Sequence, residues 1–569
     1  MKKTILAALL ALPSLAVAQE MLKIEEKTFA VADIDSITIE YTRPTMADVL
    51  AEHAEYSLFS EALEITGLAD TLAMRDKFKD YFIENPAGCP GSSFASGNYY
   101  YPTQCKVKFT LFAVDNDAFR QLGITNLQSL KAKCAEWYGG AGDWYDYPGK
   151  GTVAISTGDD YTNPMNVLNM FVRYHILKAG LPYSKLVYAY YKYNEYWNYA
   201  FGGEPQDYYE TLLPHTLLKV WQPLYHNTGD RTNIWVNRYR KNNTLTDEVG
   251  TFGSEAMHPL VDTGALVRRE KSDITALNGY IHSISKPLVY SNDVAYGVLN
   301  ERLRVDVEDM MPEIADNELK LVTQNVLAIM NSRDDGVMAR IPAGFIDNMV
   351  LYNDNIDVAY YSIGAWRAWG SQQLALWTED NMDLALRLPP VPSGTYELRL
   401  VYFPAAYSPV VQPYLGTSAD TTSMVPMGIP FDMSYPNTDL VSHREATGYL
   451  RVGEFNDYGV ASDRVLRNNG YMRAPASYAR GLFNEIKEPI SNPQVMINRI
   501  SSSCRYEEGY GTSSLRKIIG TVQIDQQKEY WLRLKQVNTT DYIDRIILDY
   551  IELVPTSVVN NATYTEDWY

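Results

Sequence analysis

Histidines, cysteines and paired carboxylates are the groups from which this 569-residue chain can build reactive chemistry. The seven histidines (His53, His175, His215, His226, His258, His282 and His443) do not cluster at metal-ligand spacing. No nucleophile elbow, HExxH pair, Walker loop or dinucleotide fingerprint occurs. Asp and Glu together number 69, so two of them from distant strands can still meet as a glycosidase pair. The expectation is a non-enzyme with no cofactor and no bound metal. Asp432, Asp439 and Asp549 offer oxygen ligands for a structural calcium, without EF-hand spacing.

His175 shares a helical stripe with Leu168, Phe171 and Val172. A histidine on an apolar face fixes packing through backbone hydrogen bonds, or ligates a metal if a second ligand stands nearby. None does on that helix. Of the four cysteines, Cys134 falls on the apolar face with Leu127 and Leu130, which predicts a buried inert thiol. Cys89 and Cys105 flank a Gly/Ser/Tyr-rich loop and can pair in an oxidising compartment. Trp197, Trp366, Trp369 and Trp377 are the ligand-binding candidates, by stacking on sugar rings or packing on a protein; core packing is their alternative fate.

Composition bounds the class. Hydrophobic residues make up 46% and charged residues 21%, an ordinary globular balance. A formal net charge of −19 opposes phosphate backbones, so nucleic acid is not an expected partner. The 44 tyrosines suit recognition surfaces, or the faces of sheets. Residues 1–18 read as a signal peptide, with Lys2 and Lys3, an apolar run and Ala16-Val17-Ala18 at the cleavage site. No later run is long enough to span a bilayer. The product is expected in the periplasm, at the cell surface or outside.

The elements that must position these groups follow from period and punctuation. Residues 36–41 alternate as a strand, and residues 55–66 form a helix with Phe59, Ala62 and Leu63 on one stripe and Gly67 as its stop. Residues 108–113 form a strand, Asp115 caps the next helix, and Gly123 closes it. Helices are expected over 126–138 and from Asn163-Pro164 to Gly180. Residues 186–199 show competing periods, with helix favoured, inside what reads as an elaboration over 181–249. Residues 267–290 read as strand, turn at Asn278-Gly279, and strand.

Four stretches in this order carry a family resemblance. Phe59, Ala62, Leu63, Gly67, Leu68 and Leu72 are similar to the opening helix of fasciclin domains. Thr110, Phe112, Ala113, Asn116, Ala118 and Phe119 resemble the first hallmark motif, with Val114 where the family carries proline. Tyr174-His175 stands at the family's Tyr-His pair. Asp273, Ile274, Ala276, Asn278, Gly279, Ile281, His282, Ile284 and Leu288 resemble the closing motif, with Ser285 where the family carries aspartate. The resemblance implies an extracellular adhesion module, a β-sandwich wedge flanked by helices, over 45–292. It implies a structural or adhesive role for Tyr174, His175, Asn278, Gly279 and His282.

Residues 19–44 then form an N-terminal strand and linker, 293–344 a helical connecting segment, 345–555 a jelly-roll-like β-sandwich and 556–569 a polar tail. In 394–403, Tyr396, Leu398, Leu400 and Tyr402 are expected inside, Glu397 and Arg399 outside; 528–537 alternates likewise through Tyr530, Leu532 and Leu534. The phrases at 388–402, 428–433, 470–475 and 548–555 resemble a domain that accompanies fasciclin modules in exported bacterial proteins. The last is also similar to the final strand of sandwich-type carbohydrate-binding modules. The fold class expected is mixed and β-rich. The function expected is non-catalytic adhesion or recognition of a protein or glycan partner at the cell envelope. The alternative is a carbohydrate-binding component of a glycan-capture system, with the C-terminal sandwich holding the sugar.

Overall fold

In a computed structural model, residues 21–24, 27–30, 43–77, 105–138, 155–187, 206–222, 233–240, 260–261, 264–317, 336–341, 344–353, 356–363, 373–378, 382–403, 408–433, 467–468, 470–473, 515–538 and 545–559 are described. The expected signal peptide, 1–18, and the expected strand over 36–41 lie outside them. Met1–Pro44 form one unit, in which Met21–Ile24 pairs antiparallel with Lys27–Ala30. Thr45–Tyr569 form a second.

The second unit begins with short helices. Helix α1 is Met46–Glu52 and α2 is Ser57–Ile65. Phe59, Ala62 and Leu63 of α2 are buried, as their stripe requires, and Gly67 ends the turn at φ 72°. Strand β1, Phe109–Val114, is buried on both faces. Asp115 then caps α3 (Asn116–Gln121), its carboxylate accepting from the Ala118 N–H at 2.8 Å, and Gly123 follows at φ 75°. Helix α4 is Leu127–Tyr138, burying Leu130, Cys134 and Tyr138.

Helix α5 is Val167–Tyr174. It is shorter than expected at both ends. Asn163 forms a turn, its Oδ1 accepting from the Met165 N–H, and Asn166 is the cap in its place. The helix stops at His175 because Ile176–Leu177 joins a sheet as β2.

That sheet continues with β3 (Gln206–Glu210), β4 (Leu217–Trp221), β5 (Ile234–Val236), β6 (Ala265–Val267), β7 (Ile274–Ala276) and β8 (Gly279–Ile284). Its order is β2-β1-β8-β6-β5-β4-β3, with β7 also on β8. β1 and β8 run parallel, in register from Phe109↔Gly279 to Val114↔Ile284. Ala276 pairs with Gly279, so Leu277-Asn278 form the two-residue loop of the expected hairpin, one position earlier than Asn278-Gly279.

The segment expected to be a helical connection carries a strand. Leu303–Asp306 is β9, flanked by a single π-helical turn at Val294–Val298 and followed by α6, Pro312–Asp316. Leu303 and Val305 lie two residues apart, and both are buried in strand geometry. Residues 318–335 of the expected helical segment lie outside the described residues.

Two further sheets follow. Their strands are β10 (Gly336–Ile341), β11 (Met349–Leu351), β12 (Ile356–Ile363), β13 (Gln373–Thr378), β14 (Asp383–Arg387), β15 (Gly394–Phe403), β16 (Val410–Gly416), β17 (Val425–Pro426), β18 (Phe431–Asp432), β19 (Tyr471–Arg473), β20 (Leu515–Ile524), β21 (Trp531–Gln536) and β22 (Arg545–Pro555). One sheet has the order β10-β12-β13-β22-β15-β20-β19, with β9 sharing an edge of β22 with β13. The other is β11-β14-β21-β16-β17, with β18 on β16. The fold is thus mixed and β-rich. One continuous apolar core joins Met46 and Phe59 to Leu398, Leu534 and Leu553. Past the last strand, Thr556–Val559 forms a short helix that buries Val558, where a polar tail was expected.

Alternation predicts Tyr396, Leu398, Leu400 and Tyr402 correctly: all are buried. It fails for Arg399, which is 0% exposed rather than outward, and Glu397 is 8% exposed. Both faces of β15 are buried, so the residues opposite the apolar core need charge partners instead of water.

Candidate functional site

The residues singled out around 45–292 are built into the interior. Asn278 is 1% exposed. Its Oδ1 accepts from the Met46 N–H at 2.9 Å, and its Nδ2 donates to the carbonyls of Leu72 and Met74. Its own carbonyl accepts from Phe109 N–H at 2.9 Å. Gly279 follows because nothing larger fits: a Cβ there would stand 2.0 Å from the Phe109 carbonyl oxygen, and its φ is 148°.

His175 is fully buried against Phe171 and Phe59, with ring centroids at 4.5 and 5.3 Å. The Leu288 N–H donates to Nε2 at 2.9 Å, so that nitrogen is bare. Nδ1 therefore carries the proton and donates to the Phe171 carbonyl at 2.8 Å. Burial lowers its pKa to about 4, against the smaller opposing effect of that hydrogen bond. His282 is the mirror tautomer: Nδ1 accepts from Asp273 N–H at 3.2 Å and Nε2 donates to the Leu181 carbonyl at 2.9 Å. Burial lowers its pKa as well. The Tyr174 hydroxyl donates to the Leu217 carbonyl and accepts from Asn237 Nδ2. Cys134 is buried and its thiol is pushed well above its usual value by burial. Cys105 is buried; Cys89 lies outside the described residues.

Asp115 ties the first landmark to the last. Its Oδ2 accepts from Lys271 Nζ at 3.0 Å and from Arg268. Burial alone would raise this carboxyl, but the Ala118 N–H, Lys271 and Arg268 together hold it below its usual value.

Trp197, Trp366 and Trp369 lie outside the described residues, as does Asp439. Trp377 and Asp549 are placed on β13 and β22, with their side chains outside the description. Asp432 is half-buried on β18. Among the described residues, Asp207, Asp306 and Asp309 bring carboxylate oxygens within 4.8 Å of one another, the hard-ligand chemistry a calcium ion takes. The first comes from β3 and the others from the end of β9 and the turn after it, so only the 306/309 spacing was visible in sequence.

A different constellation, which sequence reasoning missed, sits on the outer face of the six-stranded sheet. Leu384, Leu386, Leu532 and Leu534 point into the core, leaving Asp383, Ala385, Trp531, Arg533 and Lys535 on the other side. Arg533 makes a two-pronged pair with Asp383, Nε–Oδ1 and Nη2–Oδ2 both at 2.6 Å. Its guanidinium carbon lies 4.9 Å from the Tyr352 ring centroid and 5.3 Å from that of Tyr414, its cross-strand neighbour. The Asp383 bonds raise the pKa of Arg533, and burial raises that of the Tyr352 phenol. Both rings are half-buried.

The 417–423 loop borders this stack. The Tyr352 hydroxyl donates to the Ala419 carbonyl. Asp420 Oδ1 accepts from Thr422 N–H at 3.0 Å, and Ser423 Oγ donates to the Asp420 carbonyl at 2.8 Å. Thr417, Asp420, Thr421, Thr422 and Ser423 are exposed. Flat rings, a charge pair with spare hydrogen-bonding capacity and a hydroxyl-rich rim can hold a ligand that is apolar on one side and polar at its edge. Among the described residues no helix is long and apolar enough to cross a membrane. No family model matches this chain, and no curated protein matches it.

Proposed function

We propose that this chain is an exported, non-catalytic adhesion or recognition protein of the cell envelope. A fasciclin-like half, 45–292, supports a C-terminal sandwich that contacts the partner through the outer face of its six-stranded sheet. The observation that carries the reading is the Tyr352–Arg533–Tyr414 stack, pinned on the sheet by Asp383, with the two rings half-buried and the charge pair 11% and 14% exposed between them. Aromatic and arginine anchors in such settings supply most of the binding energy of recognition surfaces. The ordered fasciclin-like landmarks support the adhesive class, and the apolar run at 1–18 supports export.

The test is binding of the mature chain, Gln19 onward, to immobilised fragments of bacterial cell envelope by surface plasmon resonance. Tyr414→Ala is expected to weaken binding by about 30-fold, the loss of one anchor worth about 2 kcal/mol. Equal binding by wild type and a folded Tyr414→Ala variant would remove this face from the proposal.

A further inference from the structure

We propose that the outer face of the six-stranded sheet takes an uncharged carbohydrate, an inference that rests on the recognition reading above. Three features of the face select this class. The first is the stack itself. Tyr352 and Tyr414 lie over the buried Ala385, Met424 and Trp531 and keep only part of their flat apolar surface in water on either side of a guanidinium, and the C–H face of a pyranose is the polar ligand that matches such a surface.

The second is spare hydrogen-bonding capacity. Each oxygen of Asp383 receives one bond from Arg533 and keeps further lone pairs. Beside it, the loop exposes Thr417, Thr421, Thr422 and Asp420, while the Ser423 hydroxyl is spent inside the loop on the Asp420 carbonyl. Vicinal sugar hydroxyls both donate and accept, so they can satisfy both kinds of group. An apolar peptide would strip these groups of water without replacing it.

The third is charge balance. Arg533 faces Asp383, and exposed Lys535 is offset by exposed Asp420. Asp432 shares this face through its pairing with Val410, so the face has no excess of positive charge with which to draw an anionic polymer, and the chain as a whole, at −19, repels one.

The experiment is affinity electrophoresis of the mature chain in gels cast with neutral polysaccharides (glucan, mannan, xylan, galactan) and with acidic ones. Retardation by at least one neutral polymer is expected, insensitive to added salt. It should fall at least tenfold in affinity in Tyr414→Ala and in Tyr352→Ala, and by a few-fold in Thr421→Ala/Thr422→Ala, where exposure keeps the fold safe. Thermal melts show that each variant is folded. No retardation by any neutral polymer would overturn the inference, as would salt-sensitive retardation confined to acidic ones. Envelope fragments treated with periodate, which cleaves vicinal diols, separate the two proposals. Binding that survives periodate, is lost after protease treatment and still needs Tyr414 would end the carbohydrate assignment and leave the recognition face standing. Binding to sugars and fragments that neither tyrosine variant alters would end both.

Discussion

Arg399 donates from Nη1 to the Glu552 carboxylate at 3.1 Å, with both side chains fully shielded from solvent. Arg516 reaches the same oxygen at 3.1 Å, and Arg302 approaches the other at 3.6 Å. Arg399 Nε is also bonded to Glu397, which in turn pairs with Arg467. Burial by itself would raise the Glu552 carboxyl, but Arg516, Arg302 and Arg399 outweigh it and hold the group at about 2.

Removing this hub leaves three guanidiniums buried around an uncharged site. Glu552→Gln is expected to cost about 3–5 kcal/mol of folding stability, read from urea unfolding curves. Because the folded value of Glu552 lies below its ordinary 4.5, its stabilisation is complete above that pH and is lost as pH falls towards 2. An unchanged unfolding midpoint in the variant would show that the arginines are compensated elsewhere.

His175 sets a second, separate window. Its folded value of about 4 lies below the ordinary 6.5, so the unfolded chain takes up a proton that the folded chain refuses. Stability from this residue is complete above about pH 6.5 and declines down to about 4, by roughly 3 kcal/mol in all. His282 and half-buried His215 shift in the same direction. Unfolding curves taken across this window should slope with pH in wild type. His175→Leu should lose about one proton's worth of slope and about 2–4 kcal/mol at neutral pH, since Leu288 N–H and the Phe171 carbonyl lose their partner. A slope identical in the two proteins would mean that His175 protonates freely in the native state.

Gly279 tests the hairpin. Its Cβ would overlap the backbone of β1, which is a sheet partner and cannot rotate aside. Gly279→Ala should therefore lose about 3 kcal/mol or more, or fail to accumulate as folded protein. Gly123→Ala is the contrast. Its φ, 75°, is also positive, but a Cβ there meets nothing within 4 Å, so its cost should be about 1 kcal/mol. Comparable losses in both would assign the Gly279 effect to backbone conformation alone.

The features legible in the sequence were those set by near neighbours. The Asp115 cap, the Gly67 and Gly123 stops and the buried stripes of α2 and α4 depend on residues within a turn or two, and all stand where period and capping chemistry put them. The burial of His175 and its bond to the Phe171 carbonyl were legible for the same reason, whereas its second partner, the Leu288 N–H, lies 113 residues away. The start of α5 was misread because Asn163-Pro164 and Asn166 both carry cap chemistry, and only packing of the chain before the helix chose Asn166. The expected helical segment 293–344 carries a strand at Leu303–Asp306, where Leu303, Val305 and Val307 alternate with Arg304 and Asp306; that period is legible in the sequence, and β22 supplies the sheet edge that takes it up.

What the tertiary structure alone decided depends on partners remote in the chain. Arg399 reads as outward in any alternating strand. It is buried because the face opposite the apolar core is covered as well, and Glu552, 153 residues away, brings the opposite charge to that face. The Asn278 side chain spans 232 residues to reach Met46. Arg533 meets Asp383 across 150 residues, and Tyr352 and Tyr414 join it only when β11, β14, β21 and β16 align side by side. Local sequence specifies which backbone conformations are cheap. Which charges are desolvated together, and which face of a sheet stays in water, is fixed only when distant strands close over one core.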